Sequence, residues 1–276
     1  MYQVEAFPQT YLDNSLIIHC AFLDAGTQKF HASSIPKPNP WSVRAVLDQL
    51  PHPPQESSTS PIPFFHLVER LKLEKREGWR RFGVSHGESI AEHMYRMSIL
   101  TMLAPPSLSS RINIPHCTKM ALIHDMAESL VGDLTPVDGV PKVEKNRREA
   151  ETMDYICHNL LGNVAGGLAG RDIRNIWQEY EDSVTLESKF VHDIDKVELI
   201  LQMVEYERAT NCSIDLSEFS WVATRLCLPE MKDWAQQVLD EREELWKSKG
   251  KEAKEPENAA TIKDSQNEYY GNGTTT

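Results

Sequence analysis

Between about residues 61 and 246 the apolar residues of this chain recur at helical spacing, and no stretch shows the period-two alternation of a half-buried strand. That pattern restricts the chain to an all-α fold: a bundle of about seven or more helices around one core. Phe64, Val68 and Leu71 follow Pro61 and Pro63 as an amphipathic first helix. Ser89 stands three residues before Glu92, a capping-box arrangement. Ile90, Met94, Met97 and Leu100 continue from it as an apolar stripe, with His93 in the first turn. A third helix is expected from Pro115 to Gly132, with His124 and Asp125 at its middle and Glu128 one turn beyond His124 on the same face. Further helices are expected over 142–161, 172–182, 185–211 and 229–246. The glycine-rich stretch 162–170 has neither the order of a phosphate loop nor a strand before it, and reads as a flexible connection.

The two ends differ from this centre. Residues 1–60 are interrupted by Pro36, Pro38, Pro40, Pro51, Pro53 and Pro54, which leaves room for a short helix only within 41–50. We therefore expect an irregular extension over 1–60, the helical domain over 61–246 and a disordered tail over 247–276, where aliphatic residues are almost absent. No apolar run is long enough to cross a bilayer. The stretch 15–23 is too short and lacks the basic lead of a signal peptide, so an intracellular protein is expected, cytoplasmic with the nucleus also open to it. A net charge of −12 argues against a polynucleotide partner. A small anion stays compatible if a metal ion brings its own charge. The five cysteines are scattered, without C-x-x-C spacing, and read as reduced thiols.

Ionisable residues set into apolar helices are costly, so their positions carry information. His93, the pair His124-Asp125 and Asp195 fall on three separate expected helices, each in a hydrophobic neighbourhood. Helical bundles build metal sites by converging such side chains on one ion. Two imidazoles with two carboxylates suit Mn²⁺, Fe²⁺, Co²⁺ or Zn²⁺. A His-Asp dipeptide alone is weak, because the chain holds a second one at His192-Asp193, which reads as structural or surface.

The ordered set His93, His124-Asp125, Asp195 resembles the H…HD…D signature of the HD superfamily of metal-dependent phosphohydrolases. Three longer segments narrow the resemblance to the HD-domain 5′-deoxynucleotidases. They are the run from Glu88 to Met97, the run from His124 through Gly132-Asp133, and Glu144-Lys145-x-Arg147-Arg148-Glu149. The resemblance implies a principal metal, Mn²⁺ or Co²⁺, held by His93, His124, Asp125 and Asp195. It also implies Glu128 and Asp133 as catalytic residues, and a second ion of the Mg²⁺ kind at Glu128, Asp133 and the Leu134 carbonyl. Asp195 is preferred to Asp193 because the family places its aspartate three residues before a glutamate, here Glu198. Lys75-Arg76-Glu77-Gly78-Trp79 resembles the family's substrate segment, implying Arg76 on phosphate and Trp79 beside the base. Trp79 as plain core is the competing reading. The family's Arg-Asn is replaced here by Phe82-Gly83, which leaves Arg76, Arg80 and Arg81 all open as the phosphate ligand.

The implied reaction is hydrolysis of a deoxyribonucleoside 5′-monophosphate to deoxynucleoside and orthophosphate, by a homodimer whose interface could use apolar positions within 217–246. Two alternatives stand beside it. One is an HD hydrolase of another nucleotide, a triphosphate or a cyclic or alarmone nucleotide. The other is a helical nucleotide-binding module without catalysis.

Overall fold

Helices account for the regular structure of residues 40–254, the part of the chain described by this computed structural model, and an isolated antiparallel bridge between Lys75 and Ser89 is the nearest approach to a strand. The expectations for residues 1–39 and 255–276 lie outside the described residues. The short helix allowed between the prolines is α1 (Val43–Leu47), capped by Ser42, whose Oγ accepts from the Ala45 N–H at 3.2 Å. Its Val43 and Leu47 are buried in the main core. The expected first helix breaks at Glu69 into α2 (Ile62–Val68) and α3 (Arg70–Leu73), and a further turn, α4 (Glu77–Arg81), follows Arg76. The capping box forms as the sequence indicates. The Ser89 N–H donates to Glu92 Oε2 at 2.6 Å, the Glu92 N–H donates to Ser89 Oγ at 3.2 Å, and α5 (Ile90–Met102) starts there.

After α6 (Pro106–Ser109), the third expected helix is two. The regular part, α7 (Ile114–Ile123), ends with His124 as its C-cap. Residues 124–127 form tight turns in which the N–H groups of Met126, Glu128, Ser129 and Leu130 each bond three residues back, and α8 (Glu128–Val131) resumes. No proline or glycine lies between Pro115 and Gly132, so the sequence carries no signal of the break. The tighter winding turns successive side chains by more than the α-helical 100°.

α9 (Lys142–Asp154) runs into a wide π-type turn at Tyr155–Leu160. The glycine stretch that follows packs closely at two of its glycines and is exposed at Ala165 and Gly166. A Cβ on Gly170 would stand 2.5 Å from the Cys157 carbonyl oxygen, and one on Gly162 only 2.2 Å from that of His158. It leads into α10 (Leu168–Asp182). The longest helix, α11 (Leu186–Ala209), starts at Thr185, whose Oγ1 accepts from the Ser188 N–H. Phe190, Val191, Ile194, Val197, Ile200 and Met203 bury it on more than one side, and α5, α7, α10 and α12 (Pro229–Ser248) pack around it.

Two buried acids tie α12 to α11. Asp193 accepts from the backbone N–H groups of Cys227 (2.9 Å) and Leu228 (2.7 Å), capping a helix start that has no cap of its own. Glu207, fully buried, accepts from Arg242, from Trp246 Nε1 at 2.7 Å and from the Leu216 N–H at 3.0 Å, so its charge is paired on every side. No helix among the described residues is long and apolar enough to cross a membrane.

Candidate metal centre

The first turn of α5, the tightened end of α7 and the middle of α11 meet at one point, which brings together the four residues singled out by spacing. His93, with no exposed surface, places Nε2 3.2 Å from Asp195 Oδ1 and 3.8 Å from Asp125 Oδ2. His124 places Nε2 3.1 Å from Asp125 Oδ2. Each ring is held from behind. His93 Nδ1 lies 2.6 Å from Glu198 Oε2, and His124 Nδ1 lies 2.9 Å from the Ala121 carbonyl oxygen. The second contact requires a proton on Nδ1, so the His124 Nε2 lone pair faces the carboxylates. Both buried Nε2 atoms lack a hydrogen-bond partner. Buried polar atoms are rarely left so, and two of them converging with carboxylate oxygens fit a divalent cation of the N/O-ligand class. His93, His124 and Asp125 have ligand atoms all within 4.8 Å of one another.

The electrostatics follow from that crowding. Burial opposes the Asp125 charge, but His124 and Arg76 outweigh it and hold the carboxyl well below the ordinary aspartate range. Asp195 is lowered likewise, burial being outweighed by His93 and Arg76. Burial and Arg76 push His93 down, yet Glu198 and Asp195 lift it to about 10. Glu128 behaves oppositely. Burial, with Asp125 and Asp133 nearby, raises it well above the usual value, and its Oε2 has no partner. It is a carboxyl that readily takes a proton.

A model of the family described as "HD domain" matches residues 68–233. The chain belongs to the HD-domain family. It is 48% identical over 193 residues to the protein named 5′-deoxynucleotidase hdd1 of Schizosaccharomyces pombe, covering 69% of this chain and 94% of that one. It is 37% identical over 209 residues to 5′-deoxynucleotidase YGK1 of Saccharomyces cerevisiae, covering 76% of this chain and 93% of that one. The solved structure of the HD domain-containing protein YGK1(YGL101W) superposes with a TM-score of 0.54 at 31% identity, over 74% of this chain and 94% of the other.

In this HD domain Arg76 is the arginine that faces the centre. Burial is outweighed by Asp133, Asp125, Asp195 and Glu128, and its Nη1 is 3.5 Å from Asp125 Oδ2. Arg80 pairs with Glu77 and Arg81 with Glu218, both further out on α4. Trp79 is not available as a stacking platform. Its ring is 1% exposed, packs on Tyr206 and Phe219, and donates Nε1–H to Glu88 Oε1 at 2.9 Å, so the expectation that it lies beside the base gives way to the core reading. Asp133 Oδ2 accepts the Glu77 N–H at 2.6 Å, and the Leu134 carbonyl accepts from Lys145 Nζ at 3.2 Å, so two of the three donors expected for a second ion are engaged within the protein. Asp133, Leu134, Glu77 and Arg80 line a cleft of about 420 Å³ at this edge of the site.

The sequence reading overlooked three neighbours. Tyr180 lies tilted against His124 at 5.0 Å and stacks on His192 at 3.9 Å. Lys145 and Glu198 were visible only as parts of motifs, although Glu198, three residues after Asp195 on a helix, had to share its face. The large apolar residues of 217–246 also differ from expectation. Trp221, Met231, Val238 and Trp246 are turned inward, and no exposed large hydrophobic falls in that range.

Proposed function

We propose that this chain is a metal-dependent 5′-deoxynucleotidase, a phosphoric monoester hydrolase that converts a deoxyribonucleoside 5′-monophosphate to deoxynucleoside and orthophosphate. The observation that carries the reading is the convergence of two unpartnered buried Nε2 atoms and two carboxylates beside Arg76 and Glu128, in a chain 48% identical to a protein named 5′-deoxynucleotidase.

His93, His124, Asp125 and Asp195 would hold the principal ion, Mn²⁺ or Co²⁺. When bound there, a divalent cation supplies the charge that acidifies water and polarises a phosphoryl oxygen. The protein's own groups do the rest. Arg76, already set among four acids, neutralises the phosphate and fixes its orientation. Glu128, whose Oε2 has no partner within the protein, takes as the carboxylate the proton of the attacking water as its oxygen bonds to phosphorus. The P–O5′ bond breaks, and Glu128 returns that proton to the departing 5′-oxygen, with Asp133 sharing in its positioning. A second ion of the Mg²⁺ kind would use Glu128, Asp133 and the Leu134 carbonyl once Lys145 releases it.

The reading includes an intracellular protein with its catalytic unit over 61–246, acting as a homodimer. The apolar stripe Tyr95, Ile99, Met102 and Leu103, exposed on one side of α5, is a face that supports self-association. The test is orthophosphate release from deoxy- and ribonucleoside mono- and triphosphates by metal-stripped protein given Mn²⁺, Co²⁺ or Mg²⁺. Metal-dependent release from the deoxy monophosphates is expected. Turnover of triphosphates alone would contradict the substrate, and binding without turnover would leave a nucleotide-binding module.

A further inference from the structure

We propose that Glu198, braced by Arg96, is the positioning residue that fixes which nitrogen of His93 faces the metal. The inference rests on the metal-centre reading and is independent of which nucleotide is hydrolysed.

Glu198 is fully buried on α11, one turn beyond Asp195. Its two oxygens have separate duties. Oε2 faces His93 Nδ1 at 2.6 Å, and Oε1 accepts from Arg96 Nε at 2.8 Å. Arg96, three residues after His93 on α5, is itself clamped, with Nη2 donating to Gln202 Oε1 at 2.8 Å and Nη1 to Glu205 Oε2 at 2.6 Å. Glu198, Gln202 and Glu205 lie on one face of α11 and grip one arginine, so α5 and α11 are laced together directly behind the ligand pair His93 and Asp195.

An imidazole can ligate through either nitrogen, and the choice is set by the proton on the other. A buried carboxylate at Nδ1 holds a proton there and leaves Nε2 as the nitrogen that faces Asp195 and Asp125. His124 receives the same instruction from the neutral Ala121 carbonyl. The anion behind His93 also makes its ring the stronger donor of the two. Arg96 gives that buried carboxylate a second charge-assisted partner on its other oxygen.

Glu88, His93 and Glu198 also lie close enough together to suggest an ion site of their own. Their contacts speak for a support instead, because Glu88 Oε1 is taken by Trp79 Nε1 and the His93 nitrogen on that side already faces Glu198.

The first experiment needs no substitution. In the Zn²⁺-loaded wild-type protein, long-range ¹H–¹⁵N spectra should show His93 protonated at Nδ1 and metal-bound at Nε2. Metal on Nδ1 would overturn the inference. The second is Co²⁺ titration of metal-stripped Glu198→Gln, followed by visible absorption, with helical circular dichroism of the apo protein as the folding control. Binding should weaken by about 10- to 100-fold with a shifted cobalt spectrum, and Glu198→Asp, which keeps the charge, should recover part of the loss. Unchanged affinity and spectrum in a folded Glu198→Gln protein would sink the inference, as would loss of a second equivalent of metal with the first unaffected. A wild-type protein that takes up no cobalt would instead sink the metal-centre reading beneath it.

Discussion

His124-Asp125 and His192-Asp193 are the same dipeptide in two backbones. The first sits where α7 tightens, and both of its side chains are delivered to one side, with Nε2 and Oδ2 3.1 Å apart. The second lies inside the regular α11, where neighbouring side chains diverge by about 100°. His192 goes to Tyr180, stacking on its ring and contacting its carbonyl with Nε2 at 2.9 Å, while Asp193 turns away to cap α12. The dipeptide carries no chemistry of its own. Local winding and the groups opposite decide between a converging pair and a diverging one.

The largest expected effect separates the two aspartates. Asp125→Ala should lower metal-dependent orthophosphate release by about 10³-fold or more, because the several kcal/mol supplied by a metal centre are lost with a ligand. Asp193→Ala should leave turnover per folded molecule near wild type, and equal losses in both variants would break the contrast. Glu128→Gln comes next, with a fall of about 10²-fold in turnover and a principal ion still bound, as measured by steady-state kinetics beside metal analysis.

Asp193→Ala has its effect elsewhere. It uncaps two N–H groups at the head of α12, and urea unfolding should show a loss of about 2 kcal/mol. The smallest effect concerns His192, where burial, with Lys196 nearby, lowers the pKa from 6.5 to about 4. The folded state binds fewer protons than the unfolded chain between those values. Stability contributed by the neutral ring is therefore full above pH 6.5 and is lost as pH falls toward 4, with a slope of at most about 1.4 kcal/mol per pH unit. In metal-free protein His192→Gln, whose amide can still donate to Tyr180, should flatten that slope between pH 4 and 6.5. An unaltered slope would mean that the ring is not held neutral.

The parts legible in the sequence were those fixed by local rules. The Ser89–Glu92 box depends on residues three apart, and His93 follows from it by counting. Asp195 is preferred to Asp193 on family spacing alone, and on α11 the two face opposite ways, one to His93 and one to α12. Illegible parts depend on distant partners. The break after Ile123 is marked by no proline or glycine before Gly132, and nothing near Trp79 announces that Glu88 and Tyr206 will enclose it. Arg76, Arg80 and Arg81 look alike until the fold sets four acids around the first.

The most direct test of the account is anomalous scattering from crystals grown with Co²⁺ or Mn²⁺. The account predicts one strong peak about 2.0–2.3 Å from Nε2 of His93 and of His124 and from the carboxylate oxygens of Asp125 and Asp195. A peak at His192-Asp193, or among Glu88, His93 and Glu198 with the His124 side empty, would contradict it.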